Sequence, residues 1–97
     1  MKKIFKFPLE AHHKQEIDMP VGAQILALQV KDDTPCLWAL VDPNRPKEKR
    51  TFLMVGTGHS AASVAGPDCT YVGTFQMRDA PEDDWTVWHL FEKRRYI

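Results

Sequence analysis

Apolar and polar positions alternate with a period of two along most of this chain. Lys3, Phe5 and Phe7 alternate with Ile4 and Lys6, the signature of an extended strand. Lys14 to Met19 sets Ile17 and Met19 against Glu16 and Asp18. Between Ala23 and Lys31, the residues Leu26, Leu28 and Val30 fall on one strand face, although Ala, Gln and Leu also favour helix. Pro20 and Gly22 before this piece and Asp32-Asp33 after it, in hairpin-turn position, decide for strand. Cys36 to Val41 is apolar throughout, which predicts a central strand buried on both faces. Arg50 to Val55 follows. Thr70 to Met77 sets Tyr71, Gly73, Phe75 and Met77 against Val72, Thr74 and Gln76. Trp85 to Phe91 sets Trp85, Val87, His89 and Phe91 against Thr86, Trp88 and Leu90.

Breakers such as Pro20-Val21-Gly22, Asp42-Pro43, Gly56-Thr57-Gly58 and Gly66-Pro67 recur too often for long helices. Ser60 to Ala65 is compatible with one helical turn, and Asp79-Ala80-Pro81-Glu82 has the spacing of a turn start. The expectation is an all-β fold: one compact antiparallel β-sandwich or partly open small barrel of about seven short strands. The single domain spans residues 1–97, with its ordered core at about 3–92 and a basic tail at 93–97.

Composition narrows the function classes. The 97 residues are 43% hydrophobic and 27% charged, which is ordinary for a globular domain. Thirteen basic and thirteen acidic residues cancel. That argues against general nucleic-acid binding, which depends on phosphate neutralisation, and leaves little charge repulsion against a homo-oligomer. No apolar run is long enough to span a membrane, and the basic start at Lys2-Lys3 lacks the apolar stretch of a signal peptide. Cys36 and Cys69 read as two small buried hydrophobes in a reducing cytosol, with a disulfide as the alternative for a secreted protein.

Candidate chemistry is sparse. Gly56-Thr57-Gly58-His59 leaves a strand into a loop whose glycines permit amides to converge on an anion, or form only a bulged turn. Arg50, at the start of the strand ending in that loop, is the nearest candidate cation beyond the basic run Arg45, Lys47 and Lys49. His89 reads as a histidine whose ring nitrogens are satisfied in an apolar strand, with a pocket-facing donor as the alternative. Trp38 and Trp88 are core residues or a wall on which a flat ring stacks. Because both faces of the last strand carry tryptophan, one face is available to a partner chain. His12-His13 point to opposite sides of an extended chain, so neither a metal nor a cofactor is expected. No nucleophile, base and orienter come together in sequence, so no catalytic residue is assigned and no enzyme is expected.

Several blocks carry a resemblance: Met19 to Leu26, Leu37 to Pro43, Gly56 to His59, Tyr71 to Gln76 and Val87 to Glu92. Together they resemble a family of small proteins encoded by bacteriophages and prophages, from Ile4 to Glu92. The resemblance brings no catalytic motif. It implies work in the host bacterial cytoplasm, and counter-defence by a non-enzymatic protein that sequesters a nucleotide-derived immune signal. In that reading Thr57 and Gly58 hold phosphate, Arg50 neutralises charge, His59 donates to phosphate or ribose, and Trp38 or Trp88 stacks on the base. The alternatives are an inhibitor that docks on a host defence protein, as anti-CRISPR proteins do, and a small virion or assembly protein.

Overall fold

A computed structural model describes residues 1–79 and 84–94. Its seven strands are β1 (Lys3–Pro8), β2 (Lys14–Pro20), β3 (Gln24–Lys31), β4 (Thr34–Val41), β5 (Lys47–Gly56), β6 (Cys69–Asp79) and β7 (Asp84–Lys93). No helix occurs among the described residues. Two antiparallel sheets form, one in the order β1-β4-β3 and the other β2-β5-β7-β6. The chain crosses between sheets after β1, after β2 and after β4, so the layers are woven together by the sequence order itself.

Alternation explains the core. On β4 the residues Leu37, Ala39 and Val41 are buried and point at the other sheet. Phe5 and Phe7 pair with Ala39 and Leu37, which puts them on the same face. The second sheet answers with Met19, Phe52, Met54, Phe75 and Leu90. Gly73 lets β6 come close to β3, because a Cβ there would lie 3.1 Å from Leu28 Cδ2. This close approach seals one side of the sandwich.

Two β-bulges change the faces that strict alternation predicts. In β3 the register shifts between Ile25 and Ala27, so Leu26 is the extra residue. Ile25 and Leu28 pack on the core, while Leu26 turns out and is 47% exposed. In β6 the shift lies between Tyr71 and Gly73. Val72 packs inward, and Tyr71 joins Phe91 on the outer face with ring centroids 5.6 Å apart. Trp38 also departs from expectation. Opposite Lys6 and Ala27, it lies half-buried on the outer face of the three-stranded sheet, not in the core.

The turns follow their residues. Asp32 and Asp33 have φ of 51° and 63°, the left-handed pair of a two-residue hairpin between β3 and β4. Ser60 to Ala65 contains the expected helical turn, closed by the Ala65 N–H on the Ala61 carbonyl at 2.9 Å. The turn start expected at Asp79 to Glu82 lies, from residue 80 onward, outside the described residues. Both cysteines are free thiols, Cys36 buried and Cys69 half-buried.

Candidate functional site

The site lies at the end of the sandwich that carries the β3–β4 turn. There the inner face of the four-stranded sheet continues past the opposite layer. Met54, Phe75, Met77 and Trp88 project from β5, β6 and β7, and Leu9 and Pro35 close the far side. The resulting cleft holds about 370 Å³, within the range of small-molecule sites. Its rim is polar: His12, His13, Asp33 and Thr34. An apolar floor with a few hydrogen-bonding groups at the mouth suits a flat, largely apolar ring with polar edges.

Trp88 sits between two histidines. Its ring centroid is 5.9 Å from that of His59 in an edge-on arrangement and 6.4 Å from that of His13. The indole Nε1 donates to Thr86 Oγ1 at 3.0 Å, which fixes the ring plane. His13 Nδ1 donates to the Met54 carbonyl across 3.4 Å. His12 pairs with Glu10 at 3.1 Å.

The Gly56-Thr57-Gly58-His59 segment is a type II turn. The His59 N–H donates to the Gly56 carbonyl at 3.1 Å, and Gly58 has φ of 86°, the conformation that position of the turn demands. The Thr57 N–H donates to the Val87 carbonyl at 3.0 Å. The Thr57 and His59 amides are therefore already bonded within the fold, and the loop does not form the expected cradle of convergent amides. Its side chains diverge instead. Thr57 Oγ1 lies 2.8 Å from His89 Nε2 on the outer face. His59 folds back over Gly56 towards Trp88, so closely that a Cβ on Gly56 would lie 2.9 Å from His59 Nδ1.

His89 is the centre of a hydroxyl chain. Its Nδ1 is 2.9 Å from Thr74 Oγ1, which is 2.5 Å from the Tyr71 hydroxyl. Both ring nitrogens have partners, as the sequence reading held, but the ring is half-exposed on the outer face.

Arg50 belongs to a different place. It is buried at the opposite end of the sandwich, paired in two-pronged fashion with Glu92 through Nε–Oε2 at 2.6 Å and Nη2–Oε1 at 2.7 Å. Its Nη1 donates to the Ala23 carbonyl at 2.5 Å. All three nitrogens are engaged, so the guanidinium holds β5, β7 and the β2–β3 turn together and is not presented to a ligand.

Of the six residues singled out from sequence, only Trp88 lines the cleft, and His59 packs edge-on against its ring from outside the cleft lining. Thr57 and Gly58 are adjacent but turned elsewhere. Trp38 and Arg50 are remote. Sequence reasoning missed Leu9, Met54, Met77 and Asp33 as lining residues. They come from separate elements, and no local pattern marks an inner-face residue as lying beyond the edge of the opposing layer.

Residues 1–96 match the family described as Domain of unknown function (DUF7352). No curated protein and no solved structure matches the chain.

Proposed function

We propose that this chain, which belongs to the DUF7352 family, is a non-enzymatic binding module that captures a small ligand bearing a flat heteroaromatic ring. The observation that carries the reading is the end cleft, with Trp88 and Phe75 in its floor and Asp33, Thr34 and His12 at its mouth. Ring stacking supplies affinity, and the rim groups read donors and acceptors on the ring edge. The sequence resemblance to bacteriophage proteins supports a nucleotide-derived immune signal as the ligand and counter-defence in the host cytoplasm as the role.

The test is to purify the protein from cells in which a nucleotide-signalling defence is active, denature it and identify the released small molecules by mass spectrometry. A nucleotide is expected, and it is lost in Trp88→Leu. Ala11→Trp, at an exposed position on the cleft wall, fills the cleft without touching the core and abolishes binding too. Protein that emerges empty, and that shows no heat with a panel of signalling nucleotides, overturns the reading.

One observation favours a second reading, docking on a host defence protein or on another copy of this chain. The outer face of the three-stranded sheet exposes Ile4 at 59% and Leu26 at 47%. Ile4 pairs with Leu40 across that face. Co-purification of a stoichiometric protein partner, lost in Ile4→Glu and retained in Trp88→Leu, selects this reading over ligand capture.

A further inference from the structure

A second cavity of about 310 Å³ adjoins the cleft, sharing His13 and Met54 with it. It lies where β5 outruns β2. The last β2–β5 pair is Lys14 with Leu53, and the Met54 N–H then finds the His13 carbonyl at 2.8 Å. Because the Thr57 N–H bonds Val87, odd-numbered residues of β5 turn their amides to β7, and Met54 and Gly56 turn theirs to the β2 side. No β2 residue stands opposite Gly56, so its buried backbone N–H points at this cavity. A buried amide hydrogen seeks an acceptor.

The side chains around it have one electrical character. Lys14 and His59 bring nitrogen donors, and Ser60 and Ser63 bring hydroxyls, while the Nδ1–H of His13 is already given to the Met54 carbonyl. No carboxylate is in the lining among the described residues. Lys14 is exposed and makes no ion pair among the described residues, whereas Lys49 on the neighbouring strand is already paired with Asp18 at 3.3 Å. A lysine, an imidazole, hydroxyls and a backbone N–H converging on one small cavity make a site for a tetrahedral oxyanion.

We propose that this edge cavity is a phosphate subsite, and that it takes the phosphate of the ligand whose ring occupies the cleft. The inference rests on the cleft reading for its ring half only. The ligand class becomes a phosphorylated nucleoside that spans the His13–Met54 divide, ring on the Trp88 side and phosphate on the Lys14 side. The phosphate contacts expected of Thr57, Gly58 and Arg50 thereby pass to Lys14, the serines and the Gly56 amide, and His59 keeps the one expected of it.

The experiment is amide and indole NMR of the whole chain, titrated separately with inorganic phosphate, adenine and adenosine monophosphate. Phosphate is expected to shift the Gly56, Ser60 and Ser63 amides, with the effect weakened several-fold in Lys14→Gln. Adenine is expected to shift the Trp88 indole and leave the Ser60 and Ser63 amides in place. Adenosine monophosphate binds about tenfold or more tighter than adenine, because the second contact becomes intramolecular, and Lys14→Gln removes that advantage. Amides at 56–63 that ignore phosphate, or shift equally in Lys14→Gln, overturn the subsite even if adenine binds. A silent Trp88 with a responsive Gly56 overturns the cleft reading and keeps the subsite.

Discussion

A single side chain can be read wrongly from sequence when its partner is far along the chain. Arg50 looked like a free cation beside a glycine loop. Its partner, Glu92, lies 42 residues away, and no spacing rule links them. In the fold they form a nearly buried pair, with side chains 8% and 16% exposed. Removing one partner strands the other charge in the interior, which costs about 3–5 kcal/mol. Arg50→Met is therefore expected to lower the urea midpoint strongly. Arg50→Lys recovers little, because an ammonium cannot make the two-pronged contact and the Ala23 bond at once. A variant at Arg50 that stays as stable as the parent and loses only ligand affinity would contradict this assignment. Gly56 gives another case, a glycine read as part of an anion loop whose missing side chain is required by the packing of His59 and Trp88. In Gly56→Ala the new methyl group displaces the His59 imidazole and presses on Trp88, 3.2 Å from its Cβ position. The expected cost is about 1 kcal/mol in stability, with a shifted His59 ring signal and weakened phosphate binding by NMR.

Whole elements were easier to read than single residues. All seven strands were legible, because period-two alternation is imposed by the pleat over several residues and survives local exceptions. The exceptions are the two bulges. One inserted residue exchanges the faces on its two sides. Alternation thus grouped Leu26 with Leu28, and Tyr71 with Phe75 and Met77, which the bulges put on opposite faces. Trp38 was misread for a related reason. An apolar run of six residues fits a strand covered on both faces, but here only one face meets another layer. The Asp32-Asp33 turn was legible as a hairpin, and its strain is testable. Both aspartates occupy left-handed backbone, and Gly relieves that cost at the second position. Asp33→Gly is expected to raise stability by up to about 1 kcal/mol. Asp33→Val, with a β-branched side chain at the same φ, is expected to lower it by at least as much. Thermal melts of the pair decide the point, and equal shifts for both substitutions would show that the turn is unstrained.

At the scale of the molecule the question is whether two sheets make one cooperative unit. The Cα radius of gyration is 14.1 Å, against about 12.5 Å for a rounded domain of this length, and the extents of 44 × 31 × 16 Å describe a flattened slab. One sheet does not extend the other. They share a single layer of side chains, with Leu37, Ala39 and Val41 on one side and Phe52, Met54 and Leu90 on the other. Neither layer has a second apolar core to fall back on, since each outer face lacks a covering sheet. The order of strands works in the same direction. β2 sits between β1 and β3 in sequence but in the other sheet, so the three-stranded layer cannot close until the chain has passed through the four-stranded one. Unfolding should therefore be a single transition, even though the slab is thin. Trp38 reports on the three-stranded sheet from its outer face, and Trp88 reports on the four-stranded sheet from the cleft. Two variants isolate them: Trp85→Phe with Trp88→Phe leaves Trp38 as the sole tryptophan, and Trp38→Phe with Trp85→Phe leaves Trp88. Each fluorescence transition in urea should coincide with the loss of far-ultraviolet circular dichroism in the same variant. In the parent protein, ligand bound at the cleft should raise the midpoint seen by fluorescence as much as that seen by dichroism, because a cooperative core passes stabilisation at one end to the whole fold. A Trp38 transition that splits from the dichroism would mean that the two sheets are separate folding units joined by their turns.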